Sequence, residues 1–116
     1  MKGLGGLRSA ILNVTISDTA ELYECYMPFV NHGGLFIPTK RQYQLGDEVF
    51  VVLELLDEAD KYPLTGKVVW ITPLGVVTNR KQGIGIQFSE ENAQLVAKIE
   101  TQLAGLLNTD KATYTL

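Results

Sequence analysis

The hexapeptide Gly83-Ile84-Gly85-Ile86-Gln87-Phe88 constrains this chain more than any other stretch. Strict alternation over six residues is a strand signal, with Ile84, Ile86 and Phe88 on one face and Gly83, Gly85 and Gln87 on the other. Glycines at two positions of one face leave room for a second backbone, or a ring the size of Trp70, to cross the strand closely. A dinucleotide-binding reading of Gly83-x-Gly85 fails, because Phe88 stands where the third glycine belongs and the segment continues as a strand instead of opening a helix.

The neighbouring segments read as more β-structure between two helices. Ile11–Ile16 alternates and is rich in residues that suit a pleated surface. Gly34–Ile37 is a short strand closed by Pro38, and Gly46-Asp47 turns the chain into a strand over Glu48–Leu56. Asp57–Pro63 is charged and reads as an exposed loop, followed by a strand over Lys67–Thr72 that ends at Pro73. Asp18 and Glu21 form a D-x-x-E variant of the capping box, which opens a helix running to about Met27 before Pro28 stops it. That helix carries two apolar stripes, one with Leu22, Cys25, Tyr26 and Phe29, the other with Ala20, Tyr23 and Met27. A short helix docks one such stripe well, so part of the other is expected to face water. Ser89 is expected to cap a second helix, with Glu90 and Glu91 in its first turn and Val96, Ile99, Leu103 and Leu106 as its packing stripe. The expected fold is mainly β with α: a small antiparallel barrel with a short N-terminal helix and a longer C-terminal one. Residues 1–9 read as a flexible N-terminus, 10–107 as the domain, and 108–116 as a flexible polar tail.

Composition removes several function classes. A chain of 116 residues is one domain. Its net charge of −3 argues against nucleic-acid binding, and Asn79-Arg80-Lys81 is too short a basic run to track a duplex. Cys25 is the single cysteine and His32 the single histidine, so neither a zinc site nor a Cys/His nucleophile pair can be assembled. The acidic pairs Asp57-Glu58 and Glu90-Glu91 fall in a turn and a helix first turn, where solvation and the helix dipole explain them. The expectation is no enzyme, no cofactor and no metal. Val49–Leu56, the longest apolar stretch, is interrupted by Glu54 and far too short to span a bilayer. With one cysteine and no apolar leader at the start, the expected home is the cytoplasm.

Three stretches carry a family resemblance. Gly66-Lys67-Val68-Val69-Trp70-Ile71, a loop, and Gly83–Phe88 resemble the signature hairpin of the PilZ domain, and Asn31-His32-Gly33-Gly34-Leu35-Phe36-Ile37 sits where that family keeps its second motif. Leu22–Phe29, Leu45–Phe50 and Lys98–Gly105 are similar to the type IV pilus assembly branch of the family. PilZ domains at large hold cyclic di-GMP through an R-x-x-x-R stretch and a [D/N]-x-S-x-x-G motif, whose guanidinium forks grip phosphates and stack on guanine. Here Arg8 is followed four residues on by Leu12; with the last glycine set on Gly34, Phe29 falls at the acidic position and Asn31 at the serine. The resemblance therefore implies an adaptor in pilus biogenesis and twitching motility that does not itself bind cyclic di-GMP. It implies a PilB-type extension ATPase and a FimX-type EAL-domain protein as partners, with recruitment to the inner-membrane pilus machinery and no membrane insertion. The competing reading is a direct cyclic di-GMP receptor with a non-standard site. The expected partner surface centres on the first helix and its exit, with Tyr23 as leading anchor and Tyr26, Met27 and Phe29 in support. The Gly34–Ile37 strand is a further edge for a partner to extend, and the tail a docking segment.

Overall fold

The computed structural model describes residues 11–56, 59–73 and 82–104. Five strands form one curled sheet in the order β1-β3-β4-β5-β2: β1 (Leu12–Ile16), β2 (Gly34–Pro38), β3 (Glu48–Leu55), β4 (Lys61–Ile71) and β5 (Gly83–Gln87). Helix α1 (Thr19–Cys25) joins β1 to β2, and α2 (Ala93–Gln102) follows β5 through a single 3-10 turn, Glu90–Asn92. A mainly β architecture with a short first helix and a longer last one is as expected. The sheet is mixed, not purely antiparallel, because β1 runs parallel to β3 from Leu12 opposite Val51 to Ile16 opposite Leu55. The intervening α1, β2 and turn supply the long crossover that a parallel pair requires.

Two boundaries differ from the sequence expectation. Lys61-Tyr62-Pro63 is not loop but the start of β4, with Pro63 opposite Val52. Strand β5 pairs with β4 only from Lys67 onward, so Pro63 lies where β4 has β3 alone as neighbour, a position a proline tolerates. Helix α1 ends at Cys25 and not at Met27, because Tyr26 turns to extended backbone (φ −71°, ψ 137°) and bridges to Leu35. Its start is as read: Asp18 accepts a hydrogen bond from the Glu21 N–H at 2.8 Å, and Glu21 Oε1 accepts one from the Ser17 N–H at 3.1 Å.

The concave face of the sheet holds the core. Val49, Val51, Leu53 and Leu55 alternate inward along β3, and Leu64 and Val68 do so along β4. α2 packs Leu95, Ile99 and Leu103 onto this face, with Val96 half-buried; Leu95 replaces Val96 as the deepest first-turn contact, and Leu106 lies outside the described residues. Ser89 caps the 3-10 turn ahead of α2, donating its N–H to Asn92 Oδ1 at 3.1 Å.

Strand β5 is buried on both faces, and its glycines are the reason. A Cβ on Gly85 would stand 2.7 Å from Met27 Sδ and 2.9 Å from Trp70 Cβ, so Met27 and Trp70 pass over the strand there. At Gly83 the crossing groups are the backbone of Ile37 and Pro38 and the ring of Phe36. Backbone and ring both use the gap, as the alternating glycines required. A bulge in β4 between Val68 and Trp70 turns Trp70 toward Gly85.

Candidate functional site

The helix α1 and its exit were the expected partner surface, and the structure redistributes those residues. α1 connects the two edge strands of the sheet and touches both, so it spans the open side of the curl rather than lying on one flank. Most of each stripe is therefore covered: Leu22, Cys25 and Tyr26 of one, and Tyr23 and Met27 of the other, are buried, while Ala20 and Phe29 at the stripe ends stay exposed. The expectation that Tyr23, Tyr26 and Met27 present themselves to a partner is corrected, since Tyr23 is 5% exposed, Tyr26 1% and Met27 1%. Phe29 alone of the four stands in solvent, at 53% exposed.

The chain from Tyr26 to Gly33 is tied down along its length. The Met27 N–H donates to the Gly34 carbonyl at 2.9 Å, the Gly33 N–H to the Val30 carbonyl at 2.7 Å, and the Phe88 N–H to the Gly33 carbonyl at 2.9 Å. Gln87 Nε2 donates to the Asn31 carbonyl at 3.0 Å. His32 (φ 67°) and Gly33 (φ 81°) make the left-handed turn that returns the chain to β2; histidine is among the side chains that tolerate this region. Gly33 has a second reason to lack a side chain, because its Cβ would sit 3.2 Å from the Tyr26 hydroxyl. The β2 edge offered to a partner strand is also narrower than expected, since Tyr26 and Met27 already pair with Leu35 and Gly34.

Between this loop and α2 runs an open cleft of about 670 Å³. Pro28, Phe29, Val30 and Asn31 form one wall, and Ala93, Val96, Ala97 and Glu100 the other. Tyr26 closes its floor, donating its hydroxyl to Glu100 Oε2 at 2.6 Å. Burial, and then the hydrogen bond and charge of Glu100, hold the Tyr26 phenol well above its ordinary pKa. It stays protonated, and stays a donor, throughout the physiological range. The carboxylates lining the cleft are Glu90 and Glu100; among the described residues His32 is the one basic side chain that borders it.

Sequence reasoning did not find the α2 wall. The available signal was the i, i+4 pair Ala93 and Ala97, whose small side chains leave a helix face open one turn below Glu100. Among the described residues no group of three or more His, Cys, Asp or Glu side chains comes together as a metal centre. No described helix is long and apolar enough to cross a membrane.

A curled five-strand sheet with its edges joined by one helix, a second helix on its core, and an open cleft beside a tightly held loop defines a small β-barrel-type binding domain. The chain belongs to the PilZ domain family, whose match covers residues 9–105. No curated protein matches it significantly. PilZ domains are typically non-enzymatic, serving as cyclic di-GMP-binding or adaptor domains.

Proposed function

We propose that this PilZ domain is an adaptor of type IV pilus assembly that works through protein contacts and does not bind cyclic di-GMP. The observation that supports this is the chemistry of the cleft: the loop position that carries the acidic residue in cyclic di-GMP receptors holds an exposed Phe29, and the facing wall carries Glu100. A cyclic dinucleotide carries two phosphodiester charges and needs guanidinium or ammonium partners. Carboxylates repel it, whereas an exposed aromatic ring beside an apolar helix wall suits a protein side chain. In this reading the partners are a PilB-type extension ATPase and, where one is present, a FimX-type EAL-domain protein that senses cyclic di-GMP on the adaptor's behalf. The domain then acts in the cytoplasm at the inner-membrane pilus machinery, and twitching motility is the phenotype it controls.

Two measurements test the proposal. Calorimetric titration with cyclic di-GMP is expected to give no saturable site at micromolar concentration, because unpaired ligand phosphates typically cost about 2–5 kcal/mol each. A micromolar or tighter isotherm would promote the competing reading, a receptor with a non-standard site. Phe29→Asp is expected to weaken capture of a PilB-type ATPase by about 30-fold, equivalent to about 2 kcal/mol, with an unchanged melting curve. With Tyr23, Tyr26 and Met27 inside the core, Phe29 becomes the leading anchor and the other three hold the loop that presents it. Full capture by a folded Phe29→Asp protein sinks the assignment. The tail residues 108–116, read as a docking segment, lie outside the described residues.

A further inference from the structure

A second surface, on the convex side of the sheet, carries a pattern of its own; at one end its Glu48, Thr65 and Lys67 adjoin Asn31, His32, Ser89 and Glu90 at the rim of the cleft. The outward residues of β3 are Glu48, Phe50, Val52 and Glu54, and in register opposite them on β4 stand Lys67, Thr65, Pro63 and Lys61. All eight are exposed or half-exposed, and Phe50 stands 54% in solvent. Ile11, just ahead of β1, adds a further exposed apolar side chain, also at 54%. The face therefore has an apolar centre (Phe50, Val52, Pro63 and the Thr65 methyl) with an acid-base pair at each end. Within it, one strand is wholly acidic in its charges and the other wholly basic.

This pattern is complementary to itself in one arrangement only. Two copies can stack face to face about a two-fold axis running along the strands or across them in the sheet plane. Across the strands, β3 lies antiparallel on its counterpart, so that Glu48 meets Glu54 and Lys67 meets Lys61. Along the strands, β3 of one copy lies over β4 of the other, and each carboxylate meets an ammonium while the apolar centres meet in the middle. Aligned sheets pack with strands within about 30° of each other, and the long Glu and Lys side chains span the offset this leaves at the ends. We propose that the convex face of the β3–β4 hairpin is a self-association surface, on which a second copy of this chain docks with β3 over β4. The apolar centre is smaller than the roughly 800 Å² per partner of a standard interface, so the association is weak, with a dissociation constant on the order of 100 μM.

The experiment is light scattering with sedimentation equilibrium on the full chain from about 10 μM to 1 mM. A concentration-dependent dimer is expected, and a monomer throughout overturns the proposal. Phe50→Lys is expected to weaken dimerisation by about 30-fold while circular dichroism stays native; unchanged dimerisation overturns it. Glu48→Lys alone and Lys67→Glu alone each create two like-charge contacts per dimer and are expected to weaken it about fivefold or more. The two variants mixed are expected to form a heterodimer of native strength. In that pair the lysine introduced at position 48 of one chain faces the glutamate introduced at position 67 of the other, and the native Lys67 faces the native Glu48. The double reversal in one chain is expected to behave as the unmodified protein. Failure of the mixture to associate, or tighter association of Glu48→Lys alone, rejects this arrangement of strands.

Discussion

Replacing Tyr23 with alanine is expected to cost about 3–5 kcal/mol of folding stability, a large part of the 5–15 kcal/mol that holds a small domain together. The ring is 5% exposed and belongs to the same core cluster as Leu22, Leu53 and Ile99. Its deletion leaves a cavity at the place where α1 closes the open side of the sheet, and neither edge strand can move in without losing its own pairing. The measurement is a chemical or thermal melt: for a domain of this size each kcal/mol moves the midpoint by about 4–8 °C, so the shift should exceed 10 °C. Tyr23→Phe keeps the ring and should recover most of the loss. A native melting curve for Tyr23→Ala would return the residue to the surface and to partner binding. The pair Tyr23→Ala and Phe29→Asp therefore separates two ways of losing function: the first acts through folding, the second through contact alone.

Tyr23 reads as water-facing in the sequence for a definite physical reason. Helical spacing correctly separates Leu22 and Cys25 from Tyr23, but it says nothing about how many sides of a helix are occupied. That depends on α1 joining the two edge strands of the curled sheet, a non-local fact fixed by the strand order β1-β3-β4-β5-β2. The same limit explains the parallel β1–β3 pair: the alternation of Leu12–Ile16 identifies a strand but not its neighbour or direction. Local signals did better where the physics is local. Gly46 adopts φ 93° in the turn assigned to it, and Gly83–Gln87 forms the strand its period-2 pattern indicates; the apolar run of β3, too apolar on sequence grounds to leave either face bare, nevertheless leaves Phe50 in solvent. Pro63 misled, because a proline beside charged residues ordinarily marks a loop; only the absence of β5 along that half of β4 makes it acceptable in a strand. The candidate site shows the same division. Phe29 was visible from one stretch of sequence, whereas the cleft it borders needs α2, sixty and more residues further on, and the Tyr26–Glu100 hydrogen bond that joins the two walls.

The glycines of β5 yield the other large effect. Gly83→Ala is expected to destabilise the domain by about 3 kcal/mol, whereas Gly46→Ala should cost about 1 kcal/mol. The two positions isolate different physics. At Gly46 a Cβ would meet nothing within 4 Å, and the penalty is the left-handed backbone, φ 93°, that an L side chain adopts at a cost. At Gly83 no such backbone is involved. The added methyl group would collide with the Ile37 carbonyl oxygen and stand 2.9 Å from Pro38 Cα, both parts of a backbone that cannot rotate away. Relief requires β2 to separate from β5, and Ile37 opposite Ile84 and Pro38 opposite Gly83 lie in that ladder. β2 also anchors the Tyr26–Gly33 loop, through the Met27 N–H to Gly34 and the Tyr26 bridge to Leu35. Gly83→Ala should therefore loosen the loop that presents Phe29 as well as lower the melting point, and amide hydrogen exchange at Met27 and Leu35 should accelerate more than at the β3–β4 ladder. Gly46→Ala should leave that exchange pattern unchanged. If Gly83→Ala is as stable as Gly46→Ala, the close approach of β2 to β5 is not a fixed feature of the fold, and the glycine at 83 has some other cause.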